Sequence, residues 1–380
     1  MVDKLTDKLA NKLTTTEFKP LPAQPAPTST VGAVAWLRSN LFSSTFNILA
    51  SLLILSILIS VLPKMLDWLF ISANWSGTSE ADCVKDGACW VFIKMWSQQI
   101  FYGSYPDDQL WRVNVCLLLL ATIIALSFTL PTRLRNRVAI PLLLLLPFVG
   151  LLLLDGRRLG LEYVSTDYWG GFSLNILLAA ASIIIAFPFG FLWALGRRSD
   201  MPFARTVSVT CIEFFRGTPI LALFFMGSVM LPLFFPEDVS VDKLLRVWII
   251  LVLFMSAYMA EVFRSGFQAI PKGQYEAANS LGLGYWQKTM LIIFPQVIKV
   301  SMPNILATFV MVFKNTVFLL VIAVPEMLQV VMSALSNSNW LGGHAAEGYL
   351  FVGLVFWICC FGMSMLADHI EQKLDTDKRD

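Results

Sequence analysis

The chain is poor in charge, in histidine and in the motifs that hold nucleotides or metals. Only 14% of its 380 residues are charged, against roughly 25% in a soluble domain. A water-soluble globular fold is therefore excluded. Two histidines, His344 and His369, lie too far apart for a histidine metal site. Six cysteines show no zinc-type C-x-x-C spacing, so no metal site is expected. No G-x-x-x-x-G-K-[S/T] run is present, which excludes P-loop ATP binding. No nucleophile–base constellation appears either, so the chain does not read as an enzyme and needs no cofactor of its own. A net charge of +2 gives no argument for a nucleic-acid partner. Near Met1 there is no short apolar core followed by a small-residue cleavage site, and no cleaved signal peptide is expected.

What is present is apolar and comes in long runs: 57% of residues are hydrophobic, with a mean hydropathy of +0.68. A membrane span needs about 20 mostly apolar residues. Eight candidates follow: 45–64, 111–130, 138–154, 172–195, Thr218 to Phe235, 246–263, 303–324 and 350–366. The fold class is an all-α polytopic membrane protein of about eight transmembrane helices. Residues 1–44, with five basic residues and a Pro-rich piece, read as a tether. Residues 45–170 are helices with few polar groups and one long polar loop, 72–110. Residues 171–367 carry nearly every unusual polar group, and 368–380 is a charged tail. Lys and Arg concentrate in alternate loops, which places both termini and the 271–295 link on the cytoplasmic side. Cys83 and Cys89 lie in the loop predicted to be extracytoplasmic and form a candidate disulfide.

The 271–295 link is polar enough to live in water. Pro271 suits a first helical turn. Gln274 to Leu281 then predict a short helix, stopped by Gly282 and Gly284 in the left-handed conformation. The small Ala277 and Ala278 leave room for a close neighbour. Two acid–base pairs at i, i+3 spacing, Glu213 with Arg216 and Glu261 with Arg264, predict intrahelical ion pairs. They read either as interfacial structure or as part of a working element. Lys314-Asn315-Thr316 sits mid-way along an apolar segment. An ionisable side chain there needs a partner or a cavity, so it reads either as a packed lysine or as a cavity-facing cation for a carboxylate. Pro303 predicts a broken helix near 301–316 or merely a first turn.

Glu276-Ala277-Ala278, Gly282, Ile292, Phe294 and Pro295 resemble in spacing the EAA loop of ABC-transporter permeases. Phe294 stands where that family usually has Leu. Residues 213–219, Glu-Phe-Phe-Arg-Gly-Thr-Pro, are similar to an element of the polar amino-acid permeases, as is 256–266. The family usually shows Lys-Asp-Thr-Ser where this chain has Lys314-Asn315-Thr316-Val317, which weakens transfer of the family's site.

The resemblance implies a five-helix type I ABC permease core over 171–367, with three N-terminal helices added, as in the longer permease of general L-amino-acid transporters. It implies a bacterial inner-membrane importer subunit forming half of a pore. Glu276, Ala277, Ala278, Gly282 and Gly284 would couple it to the ATPase. Lys314, Asn315, Thr316, Gly217, Thr218 and Pro219 would line the substrate path. The implied partners are a second homologous permease, ATP-binding-cassette ATPases that hold ATP and Mg, a periplasmic amino-acid-binding protein and membrane lipid. Two other readings remain from the residues: an ATPase-independent secondary transporter, or a scaffold half whose partner makes the substrate contacts.

Overall fold

A computed structural model of the chain describes residues 32–83, 86–131, 134–236, 241–340 and 343–374. The expected tether before residue 32 and the tail after 374 fall outside these. The chain divides into two compact units, Met1–Ser72 and Ala73–Asp380.

In the first unit, α1 is Ala33–Asn40 and α2 is Thr45–Leu66. Ser44 starts α2 by accepting a hydrogen bond from the Asn47 amide at 3.2 Å. A π-helical turn, Asp67–Ile71, extends it. No α2 side chain is buried, as suits an apolar helix whose solvent is lipid.

The second unit holds α3 (Trp90–Tyr102), α4 (Leu110–Thr129), α5 (Ile140–Asp155), α6 (Gly171–Arg197), α7 (Pro202–Gly217) and α8 (Ile220–Phe225). It continues with α9 (Lys243–Ala269), α10 (Lys272–Ser280), α11 (Tyr285–Ile322), α12 (Met327–Leu335) and α13 (Ala345–Leu374). Among the described residues, seven helices are long and apolar enough to cross a membrane. An eighth span exists if α7 and the Ile220–Phe234 stretch are counted as one, and these bend by 104° at the Thr218-Pro219 break. The fifth predicted span is thus the second arm of a bent pair, because Pro219 cannot continue α7.

α6, α9 and α11 form the centre. Ser256, Ala257 and Ala260 of α9 are fully buried, and Gly190 of α6 lies against Ser256 and Met259. In lipid there is little hydrophobic drive between helices, so small residues that permit close packing decide which faces meet. At the end of α9 next to α10, hereafter the peg end, Phe191, Phe263 and Phe294 meet edge-on or tilted, with centroids 4.2 to 5.9 Å apart. Each such pair adds about 1 kcal/mol.

One expectation needs correction. The segment 72–110 is not simply a polar loop: α3 buries Val91, Phe92, Ile93 and Ile100 against Met327, Val331, Trp340 and Val352. Within the second unit, α3, α4 and α5 pack on α6. Cys83 and Cys89 are joined, with Cα atoms 5.6 Å apart, just ahead of α3.

At the far end from the peg, three backbone segments meet. Gly171 donates its N–H to the Pro325 carbonyl at 2.7 Å. Gly103 and Gly171 both have positive φ, +68° and +63°. A Cβ on Gly171 would meet the Gly103 nitrogen at 2.6 Å, and one on Gly103 would meet the Gly170 backbone. Only glycine satisfies both the conformation and the contact.

Candidate coupling and translocation site

α10 is a short helix between two spans, with Gly282 (φ +70°) closing it in the left-handed conformation. Gly284 does not share that role. It is extended, and its amide is bound by the Gln287 side chain at 3.2 Å as the next helix begins. Glu276 and Ala277 are exposed, whereas Ala278 is buried within its own chain. The room left by Ala278 therefore serves internal packing, and Ala277 is the small residue facing out. Leu281 (74% exposed), Tyr285 (54%) and Trp286 (58%) stand as an apolar tip.

The peg is tied to the spanning helices by named bonds. Tyr275 donates to the Phe267 carbonyl at 3.1 Å and accepts from Arg198 at 3.3 Å. Arg198 lies 4.5 Å from the Phe267 ring centroid. Lys288 donates to Asn279 at 2.8 Å, and Gln296 to Gln274 at 3.1 Å. The peg thus touches the ends of α6, α9 and α11.

Next to it is a charge network on three helices. Arg264 pairs with Glu261, as the i, i+3 spacing predicts. Glu213 and Arg216 do not pair with each other. Glu213 takes Arg197 from α6 at 2.9 Å, and Arg216 reaches Glu261 on α9 at 3.2 Å. Arg197 is also 3.6 Å from Glu261. The turn that ends α6 delivers a third arginine, which cross-links the helices instead of leaving two local pairs.

The predicted substrate-path residues separate. Lys314 is exposed on the surface of the chain and Asn315 half-buried. Thr316 is fully buried; its hydroxyl accepts from Asn175 at 2.9 Å and donates to the Phe313 carbonyl at 2.7 Å. Its hydroxyl is thus held within the packing of its own chain. α11 runs through Pro303 without a break and changes to a 3₁₀ turn only at Thr316. Gly217 and Pro219 are exposed at the bend, and Thr218 donates to the Phe214 carbonyl at 2.8 Å.

Two residues not singled out from the sequence complete the far end. Asn175 donates to Glu326 at 3.2 Å and accepts from the Met327 amide at 3.1 Å. Glu326, fully buried between α11 and α12, accepts from the Leu328 and Gln329 amides at 3.0 and 2.8 Å. It caps α12. Burial pushes its carboxyl up to about 6, while the amide donors and Asn175 hold it from rising further. A lone amide in an apolar run and an acid directly after Pro325 were the available signals.

A family model described as "Binding-protein-dependent transport system inner membrane component" matches residues 186–376, half of the chain. The chain is 43% identical to the inner membrane amino-acid ABC transporter permease protein YhdY of Escherichia coli K12, over 94% of this chain and 97% of that one. The chain belongs to this family. The permease is also 33% identical to the glutamate/glutamine/aspartate/asparagine transport system permease protein BztC of Rhodobacter capsulatus, over 94% and 98% of the two chains. The probable glutamine ABC transporter permease protein GlnP of Bacillus subtilis is 29% identical, with 91% of its length matching 53% of this permease. The permease is a multi-pass inner-membrane transport subunit and not an enzyme.

Proposed function

We propose that the permease forms half of the pore of an ATP-driven importer for polar L-amino acids. The amino-acid cargo is supported by the names of two relatives that match over nearly their full length. Its working partners are ATP-binding-cassette ATPases and a periplasmic substrate-binding protein. A second, related permease completes the pore. ATP and Mg sit on the ATPases, and both termini and the peg face the cytoplasm.

One observation carries the coupling role: an apolar tip of Leu281, Tyr285 and Trp286 stands exposed on a peg bonded to three spanning helices. A water-facing apolar knob of this kind fits a groove on a soluble partner. When the ATPases close, the tip moves, and Tyr275, Arg198 and Lys288 pass the displacement to α9, α6 and α11. The Arg197–Glu213–Arg216–Glu261–Arg264 network makes α6, α7 and α9 move together. Lys314, exposed, and Asn315, half-buried, stand where α11 changes its winding and offer a cation and an amide to a substrate carboxylate from this half of the pore. Gly217, Thr218 and Pro219 lend the bend beside it.

The test is co-purification. Trp286→Asp, together with Leu281→Asp, is expected to leave the permease in the membrane while the ATPase no longer co-purifies with it. Retention of the ATPase by the doubly charged tip would refute docking through the peg, and a permease that never binds an ATPase would refute the importer reading altogether.

A further inference from the structure

A cavity of about 750 Å³ lies between α4 and α5 on one side and α6 and α9 on the other. Neither the coupling peg nor the Lys314 region contributes to it. Its walls are apolar for most of their depth: Leu146, Leu174, Leu177, Leu178 and Ile184 among them. Phe148, Leu151 and Leu152 line it and are also exposed, so it opens sideways on the face that meets lipid. Its far-end mouth is polar, with Asp155, Arg157, Arg158, Thr166 and Asp242.

Trp169 and Trp248 both line it, and their indole N–H groups are buried without a hydrogen-bond partner among the described residues. At the mouth, Arg157 is engaged by Asp155 at 3.0 Å and by the Tyr163 ring. Asp242 is engaged by Thr166 and by the Leu245 amide. Arg158 makes no ion pair or hydrogen bond among the described residues. One cation, Arg158, and one anion whose partners are neutral, Asp242, thus remain at the rim, and most of the depth is hydrocarbon.

From Gly170 to Ile184 the α6 wall is about 20 Å long, against about 15 Å of hydrocarbon per leaflet. An amino acid would leave its charges unmatched along nearly all of that depth. We infer that the cavity holds one glycerophospholipid from the surrounding bilayer. One acyl chain lies along α6, beside the Trp169 and Trp248 rings, and the phosphate meets Arg158. The lipid would then mortar the added helices α4 and α5 to the α6–α9 centre.

The assembled transporter, purified in detergent through repeated washes, is examined by native mass spectrometry and by extraction of retained lipid. One phospholipid per copy of the permease is expected to survive. Arg158→Ala, an exposed change that leaves the fold intact, should lower retention several-fold. Ala181→Trp, which fills the cavity floor, should abolish it, with size-exclusion and thermal melting checking that the complex still assembles. Added phosphatidylethanolamine should rebind saturably to the wild type and not to Ala181→Trp. Equal retention in wild type and Arg158→Ala, or a phosphate-free occupant in the extract, would overturn the assignment.

Discussion

The two ends of the second unit are built on opposite plans. The peg end is held by side chains: five charged groups cross-link three helices, and an apolar tip is left uncovered. The far end is held by backbone on backbone. Gly103, Gly171 and Pro325 cross with no room for a Cβ, and Asn175 and Glu326 have their polar groups bound within the chain. Long side chains tolerate displacement and can be remade after it; packed glycine backbone cannot. Under the proposed function, the contrast is that of a moving end that engages another protein and a pivot closed on itself.

The sharpest way to break this comparison is at the pivot. Gly171→Val adds a β-branched side chain at φ +63° and drives its Cβ into the Gly103 backbone. The left-handed conformation alone costs about 1–2 kcal/mol, and the overlap adds to it. The expected outcome is loss of folded permease from the membrane, read by immunoblot and by fluorescence size-exclusion. Normal levels of a monodisperse Gly171→Val protein would show that the crossing is not a structural lock.

At the peg, Gly282 separates conformation from bulk. No atom lies within 4 Å of a Cβ built there, so only the +70° φ resists substitution within the chain. Gly282→Ala should cost about 1 kcal/mol and leave uptake near normal. Gly282→Trp should be present in the membrane at normal levels yet abolish uptake and the stimulation of ATPase activity by binding protein. Equal uptake by the two variants would remove the docking role. A smaller effect is expected at Lys314→Met: a roughly tenfold weaker apparent affinity, about 1.4 kcal/mol, with ATPase co-purification unchanged. Unaltered transport kinetics would leave Lys314 without a substrate contact in this half.

The same contrast governs what could be read beforehand. The peg was legible because a polar, glycine-punctuated stretch between apolar runs has few alternatives. Glu261–Arg264 was legible because i, i+3 neighbours meet on any helix. Glu213–Arg216 has the same spacing, and the inference failed there, since Arg197 arrives from another helix and local spacing says nothing of third parties. The pivot was the least legible. Its glycines look like ordinary turn residues until the chain brings 103, 171 and 325 together. α3 was hidden for a related reason: Trp90, Ile93, Trp96 and Ile100 have helical spacing, but the surrounding polar residues suggested a loop.

Glu326 offers the finest test, because it asks whether the pivot is closed to water. Its carboxyl is raised to about 6 from an ordinary value of 4.5, chiefly by burial. A raised acid binds more protons folded than unfolded, so stability falls as pH rises through this window. The contribution is fully present below 4.5 and is lost above 6. Between pH 5 and 7 the loss is about 1 kcal/mol, measurable as a lower melting temperature of the purified transporter at pH 7. Glu326→Gln keeps an oxygen to accept the α12 amides but cannot titrate, so this part of the slope should vanish. A slope unchanged in Glu326→Gln would mean that water reaches the carboxylate and that the far end opens as readily as the peg end.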